Sequence, residues 1–282
     1  MNRFSIIRLI AIGVIAFTMF TGGTVKEVLA SYSTEGYLSI DELYKKQSNS
    51  YNMIHFALSS NDPIGYFDTN EMDYLDVGYL INNLIKIDPN RFYIKDWIVY
   101  SSGKIEFNYV ETLENIREKN ELLNKKVDKI LKEIIKPTYT DFDKVKAVHD
   151  YLVLNTAYDY ENYRNGTISN DSYTAYGALV LGVAVCDGYT RAANLLLDRL
   201  DIESIYVHGS ISEGLHSWNM VKLDGSYFHM DVTWDDPAPD KKGYVSYKYF
   251  LVNSEELAKD HTWNQQEYPV SDNRKYLKDP RR

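Results

Sequence analysis

The chain has 282 residues, 44% hydrophobic and 14% aromatic, a globular composition that excludes disordered and fibrous classes. Its 31 basic and 40 acidic side chains give a formal charge of −9, which argues against a nucleic-acid partner, because phosphate binding needs a basic footprint. A single cysteine, Cys186, excludes an internal disulfide framework, iron–sulfur clusters and a Cys-rich zinc site.

Met1 to Ala30 reads as an export signal. Arg3 and Arg8 form a positive segment, Leu9 to Phe20 carries no charge, and Val28-Leu29-Ala30 offers a cleavage site. The apolar run is shorter than the ~20 residues of a membrane span. The expectation is a secreted or extracytoplasmic protein associated with the cell envelope. Residues 31–137 follow as a smaller α/β N-terminal region of unknown role, opening on the polar Ser48-Asn49-Ser50. Phe92 to Val110 spells a hairpin turning at Ser101-Ser102-Gly103. Leu123, Val127, Ile130 and Ile134 then recur at helical spacing until Lys136-Pro137 ends the run.

Residues 138–256 hold the chemistry, and 257–282 form a C-terminal extension. Thr140 with Asp143 signals a helix N-terminus, Val145, Val148 and Leu152 line one side, and His149 among them reads as packing or surface. The run Ala184-Val185-Cys186-Asp187-Gly188-Tyr189-Thr190 leads into Tyr189, Ala193, Leu196, Leu197 and Leu200 at helical intervals, so a helix begins at or just after Cys186. Backbone N–H groups without intrahelical partners and the positive end of the dipole lie at that terminus. They suit a thiolate nucleophile and an oxyanion. A buried structural cysteine fits the same local pattern.

The segment Leu215 to Trp234 (LHSWNMVKLDGSYFHMDVTW) turns at Asp224-Gly225, the strongest short signal for a two-residue type I′ hairpin. Leu223 then pairs with Ser226. Val221, Leu223, Phe228, Met230 and Val232 share a core face, while His216, Trp218, Met220, Tyr227, His229 and Asp231 share the other. Under this register Trp218 lies opposite Asp231 and His216 opposite Thr233, which makes His216 and Asp231 diagonal neighbours within side-chain reach. A carboxylate there would fix the imidazole tautomer that a nucleophile needs. His229 is a second candidate base. His208 ends the preceding strand, His261 lies beyond the apparent core and competes poorly, and Asp235, Asp236 and Asp240 read as a solvated acidic turn held by Pro237 and Pro239.

Three pieces, AYGALVLGVAVCDGYTRAANLLLDRL (175–200), HSWNMVKLDGSYFHMDVTWDDP (216–237) and YKYFLVNSEE (247–256), resemble the transglutaminase-like superfamily of papain-like cysteine enzymes, particularly exported proteins of Gram-positive bacteria. The resemblance implies an α+β papain-like/transglutaminase-core fold, with the nucleophile at a helix N-terminus packed on an antiparallel sheet. It implies Cys186 as nucleophile, His216 as base and acid, and Asp231 as orienting carboxylate. Acyl transfer at a protein or peptide amide through a Cys186 thioester would follow, giving crosslinking, deamidation or peptide hydrolysis without metal or cofactor. Two positions depart from relatives, Asp187 where Gln or Glu is common and Thr190 where Ala or Ser is. The glutamine that papain-like proteases place six residues before the nucleophile is Val180 here, so Tyr176, Asp187 and Trp218 are the candidates for substrate or oxyanion contacts. A catalytically idle envelope module and a cysteine peptidase acting on cell-wall peptides are the alternatives.

Overall fold

A computed structural model describes residues 16–21, 24–29, 49–87, 93–239, 241 and 243–279. Arg3, Arg8, Leu9 to Ile15 and Ala30 of the expected leader lie outside them, as do Ser48, Phe92 and Asp240. The chain divides into two compact units. The first takes residues up to Leu84 together with Ile94–Val110, and the second takes Ile85–Tyr93 and everything from Glu111 onward.

In the first unit, strands β1 (Ala16–Thr21) and β2 (Thr24–Leu29) pair antiparallel. Helix α1 (Asn49–Ser59) buries Ile54 and Leu58, strand β3 (Ile64–Tyr66) follows, and helix α2 (Tyr74–Ile87) buries Val77, Leu80 and Ile81. Strands β4 (Ile94–Val99) and β5 (Lys104–Tyr109) form the hairpin expected around Ser101-Ser102-Gly103, and β3 adds to its β5 edge, giving the order β3-β5-β4. Gly103 is required at the turn. Its φ is +86°, and a β-carbon there would sit 2.5 Å from the Phe67 carbonyl oxygen.

The second unit begins with α3 (Leu113–Ile134), whose Thr112 cap accepts from the Asn115 amide. The helix stops before Lys136-Pro137, because proline disfavours helical geometry in the residue ahead of it. Helix α4 (Asp141–Asn155) opens on a capping box in which Thr140 and Asp143 satisfy one another's backbone amides. Short strands β6 (Ala157–Tyr158) and β7 (Val183–Ala184) pair in parallel, with helix α5 (Tyr160–Asn165) between them in the chain. Helix α6 (Cys186–Asp198) then starts at the cysteine itself. It is more deeply set than an amphipathic stripe requires, since every residue from Gly188 to Leu197 is buried.

Strands β8 (Ser204–Ile211), β9 (Gly214–Leu223) and β10 (Ser226–Met230) make an antiparallel sheet in the order β10-β9-β8. Asp224 and Gly225 both take positive φ, as a type I′ turn demands, and the register runs from Ser226–Leu223 to Met230–Asn219. Val221, Leu223, Phe228, Met230 and Val232 face one continuous core with residues of α3, α4 and α6. Leu123, Val127 and Ile130 of α3 belong to that core, so the unit reaches back past the boundary expected at 137/138. Trp218 and Met220 lie in a second buried cluster with Val207, Tyr249, Val252 and Leu257. The C-terminal segment reaches the sheet through the bridges His229–Val252 and Ser210–Thr262, so the unit also continues past Glu256.

Two expectations fail where the chain leaves the hairpin. The ladder ends at Met230, and Thr233 is not opposite His216 but inside a short helix, α7 (Val232–Asp235). The acidic pair Asp235-Asp236 at its end is not solvated. Asp235 is fully buried, accepting from Ser246 Oγ (2.9 Å) and the Tyr249 amide (3.0 Å), and Asp236 accepts from the Tyr189 hydroxyl. Among the described residues no helix is long and apolar enough to cross a membrane.

Candidate active site

Cys186 is placed by the packing of its helix. The Val185 amide donates to Ser172 O at 2.9 Å, Ser172 Oγ donates to Asp159 Oδ2 at 2.7 Å, and the Asp159 amide returns to Ala184 O at 2.9 Å. This ring of bonds fixes the approach to the helix. Gly188 lets the first turn close on it, for a β-carbon would meet Ser172 O at 2.6 Å and the Ala184 methyl at 2.7 Å. Thr190 Oγ1 donates back to Cys186 O at 2.8 Å and lies 3.2 Å from Ser217 Oγ. The Asn219 side chain donates from Nδ2 to Thr190 O at 3.0 Å. Side chains of β9 are thus bonded directly to the helix that starts at the cysteine.

His216 projects from β9 with 6% of its surface exposed, and its Nε2 lies 2.7 Å from Asp231 Oδ2. Cys186 is partly exposed, and it is among the groups that favour a charge on the same imidazole. Nε2 is committed to the carboxylate, so Nδ1 is the ring nitrogen that Asp231 does not engage. Burial opposes a charge on His216, but the Asp231 carboxylate, its hydrogen bond and Cys186 outweigh it and raise the imidazole to about 10. Burial likewise opposes ionisation of Asp231. The charges and hydrogen bonds of His216 and His261 prevail and hold the carboxyl well below its usual range. Asp231 Oδ1 accepts from the Trp234 amide at 3.1 Å and caps α7, so both carboxylate oxygens are engaged.

His261 is the residue that sequence reasoning misplaced. It is 2% exposed, its Nε2 lies 3.0 Å from Asp231 Oδ2, and its Nδ1 lies 2.8 Å from Asp260 Oδ1. The bridge at Thr262 carries it there across some fifty residues of sequence, and no local pattern announces such a contact. His229 takes a different part. Burial, then the neighbouring His261 charge, depresses it to about 3. It is held as a neutral ring whose Nδ1 accepts the Trp218 indole N–H at 3.0 Å, with Ser254 Oγ 3.1 Å from its Nε2.

That bond decides the standing of Trp218. The indole has a single N–H donor, and His229 takes it, so Trp218 has none for an oxyanion. Its ring instead stacks on His216 at 5.9 Å and 27° and meets His261 edge-on at 5.1 Å. Tyr176 packs against the core under Lys119, whose Nζ stands 5.5 Å from the ring centroid. Asp187, beside the cysteine in the first turn, accepts from the Tyr206 hydroxyl. Two tyrosines that the sequence did not single out stand near the thiol. Tyr158 and Tyr173 are both raised, chiefly by burial; Cys186 is the next contributor at Tyr158, and Asp187 precedes Cys186 at Tyr173.

His216, Asp231 and His261 offer ligand atoms all within 4.8 Å of one another. Both Nε2 atoms, however, sit at hydrogen-bond distance from one carboxylate oxygen, so an ion would have to displace those bonds.

Residues 128–232 match the model of the Transglutaminase-like superfamily. That match takes in the α+β region in which Cys186 opens a helix packed on an antiparallel sheet. Among solved structures it is similar to a TGase, at 19% identity and a TM-score of 0.37, over 58% of this chain and 40% of that one. It is also similar to a candidate cysteine protease from Cytophaga hutchinsonii, at 18% identity and a TM-score of 0.33, over 44% of each chain. The chain therefore spans less than half the length of either structure. No curated protein matches it.

Proposed function

We propose that the protein is a thiol acyltransferase or hydrolase acting on amide bonds, with Cys186 as nucleophile, His216 as general base and acid, and Asp231 as orienting carboxylate. One observation carries this reading: the protein's single thiol opens a helix bonded to strand β9, and the His216 imidazole of that strand is held at 2.7 Å by a buried carboxylate. Each chemical need has a group to meet it. Cys186 gives its proton to His216, and the sulfur forms a bond to the amide carbonyl carbon. The Gly188 and Tyr189 amides donate to Val185 O, which leaves the amides of Cys186 and Asp187, the first two of α6, to hold the oxyanion. As the carbon–nitrogen bond breaks, the imidazolium returns the proton to the leaving nitrogen, and a thioester remains. Water or an amine then loses a proton to His216, attacks the thioester carbon and releases the sulfur. Water completes hydrolysis or deamidation, and an amine completes a crosslink.

Action outside the cytoplasm on protein or peptide amides of the envelope belongs to this reading, supported by the Arg3, Arg8 and Leu9 to Phe20 pattern. The deciding experiment offers a glutamine-containing peptide, with and without a primary amine, to the wild type and to Cys186→Ala, and follows intact masses. A thioester adduct or Cys186-dependent product supports the proposal. Equal behaviour of the two proteins on a broad peptide set overturns it, leaving an envelope module that has the architecture without the reaction.

A further inference from the structure

The residues around Asp231 leave one group without a part in the mechanism. His261 comes from the C-terminal segment, yet it shares the carboxylate oxygen Asp231 Oδ2 with His216, at 3.0 Å against 2.7 Å. Its other nitrogen faces Asp260 Oδ1 at 2.8 Å, and the second oxygen of Asp260 accepts the Tyr249 hydroxyl at 2.7 Å. Ionised carboxylates only accept hydrogen bonds, so both contacts of His261 form together only when each ring nitrogen carries a proton. The surroundings make such a charge consequential. Trp234 lies 4.5 Å from the His261 ring, Trp218 5.1 Å, Tyr249 5.3 Å and the His216 ring 5.5 Å, and the imidazole is almost wholly shielded from water.

We infer that His261 is a positioning residue for the reaction, an imidazolium bridge between Asp231 and Asp260 that fixes the orienting carboxylate and sets the electrostatic field at His216. This rests on the reading of His216 as the catalytic base. Asp231 and Asp260 each contribute a negative charge and His261 a positive one, so His216 meets a net charge near −1 where Asp231 alone with Asp260 would give −2. The other titratable groups around His261 are His229 and Tyr249, with Lys248 Nζ 3.5 Å from Asp260. The bridge restrains His216 from holding its proton too tightly to return it to a leaving nitrogen, and it keeps Oδ2 aimed at Nε2.

Two nitrogen-15 NMR measurements on the full chain test this, and neither needs turnover. In the wild type near neutral pH, His261 is expected to show both ring nitrogens protonated; a single neutral tautomer overturns the bridge. In His261→Gln the proton affinity of His216 is expected to rise about tenfold, since a nearby cation has been removed. Adding Asp260→Asn should bring it back toward the wild-type value, because the net charge is restored. A His216 midpoint that stays put or falls in His261→Gln overturns the proposal, and so does a double variant that moves further in the same direction. If His261→Gln does not fold, the wild-type measurement alone decides. A wild type that processes no amide while both NMR results hold would sink the assigned activity and leave the charge bridge standing. Cys186-dependent turnover with an unmoved His216 midpoint would do the reverse.

Discussion

His149 and His216 are both buried in the second unit against a carboxylate, and they differ in what else they touch. His149 on α4 lies 3.2 Å from Asp235 Oδ2 and 3.1 Å from Asp150 Oδ1, stacks on Tyr247 at 5.4 Å and meets Phe250 at 4.8 Å. Burial opposes its charge, and the hydrogen bonds to Asp150 and Asp235 overcome that and raise it. His216 has the same kind of carboxylate partner at a shorter distance, and Cys186 is among the groups that raise it. A buried histidine–aspartate pair is therefore an ordinary way to tie two elements together, here α4 to the last residue of α7. The nearby thiol, which acts on His216 and not on His149, is what sets the proposed catalytic pair apart from the structural one.

The largest expected effect breaks the first pair. His216→Ala should lower amide turnover by at least about a thousandfold, through loss of the group that both accepts and returns the proton. Steady-state kinetics on any substrate that Cys186→Ala fails to process would check this. Retention of a tenth of the activity would assign the base elsewhere. Asp231→Asn comes next, with a loss of roughly ten- to a thousandfold, because an amide can steady the wrong imidazole tautomer. Unlike a surface carboxylate, Asp231 also caps α7 and meets His261. The same variant should therefore lose about 1–3 kcal/mol of stability in a urea titration as its buried partners lose an acceptor.

His149→Gln sharpens the contrast from the other side. It should lose about 3 kcal/mol of stability, as expected when one member of a buried ion pair is removed. Its kcat should nonetheless stay within about twofold of wild type at a temperature where it is folded. A large loss of kcat with unchanged stability would make His149 part of the site.

The smallest effect is a slope. Both imidazoles are raised in the folded protein, His216 to about 10, so each binds its proton more tightly there than in the unfolded chain. Their contribution to stability is fully present below the unfolded value near 6.5 and is lost as pH rises through the folded values. Urea midpoints from pH 6 to pH 10 should fall, and His149→Gln should fall less steeply. An alkaline rise in stability would contradict both assignments.

What was legible beforehand follows the range of the interactions involved. Asp224-Gly225 specifies its own turn geometry, and alternation of Val221, Leu223, Phe228 and Met230 carries the register outward from it, so the hairpin could be read residue by residue. The start of α6 was visible because Tyr189, Ala193, Leu196 and Leu197 set its phase. The pattern failed at Asp231, where capping of α7 by the carboxylate competes with continued pairing and wins. It also failed for Asp235 and His261. Their partners at 149, 246 and 249, and at 231 and 260, come largely from distant parts of the chain, and a buried acid with remote donors looks the same in sequence as a solvated one. The spent donor of Trp218 was hidden for a related reason, since alternation put His229 on its face but could not show where the indole N–H points.

Gly209 lies at the meeting point of three of these elements. A β-carbon on it would fall 2.4 Å from the Trp218 ring and 2.5 Å from the Thr262 carbonyl oxygen, which belongs to the bridge that seats the segment of His261. Neither neighbour is the loose end of a flexible chain, so even a methyl group must push the indole off the sheet or part the bridge. The consequence is one of sequence tolerance. A saturation scan read out by activity should accept only glycine at 209, as strictly as it accepts cysteine at 186, although nothing at 209 comes near the sulfur in the chain. A functional alanine there would show that this junction yields.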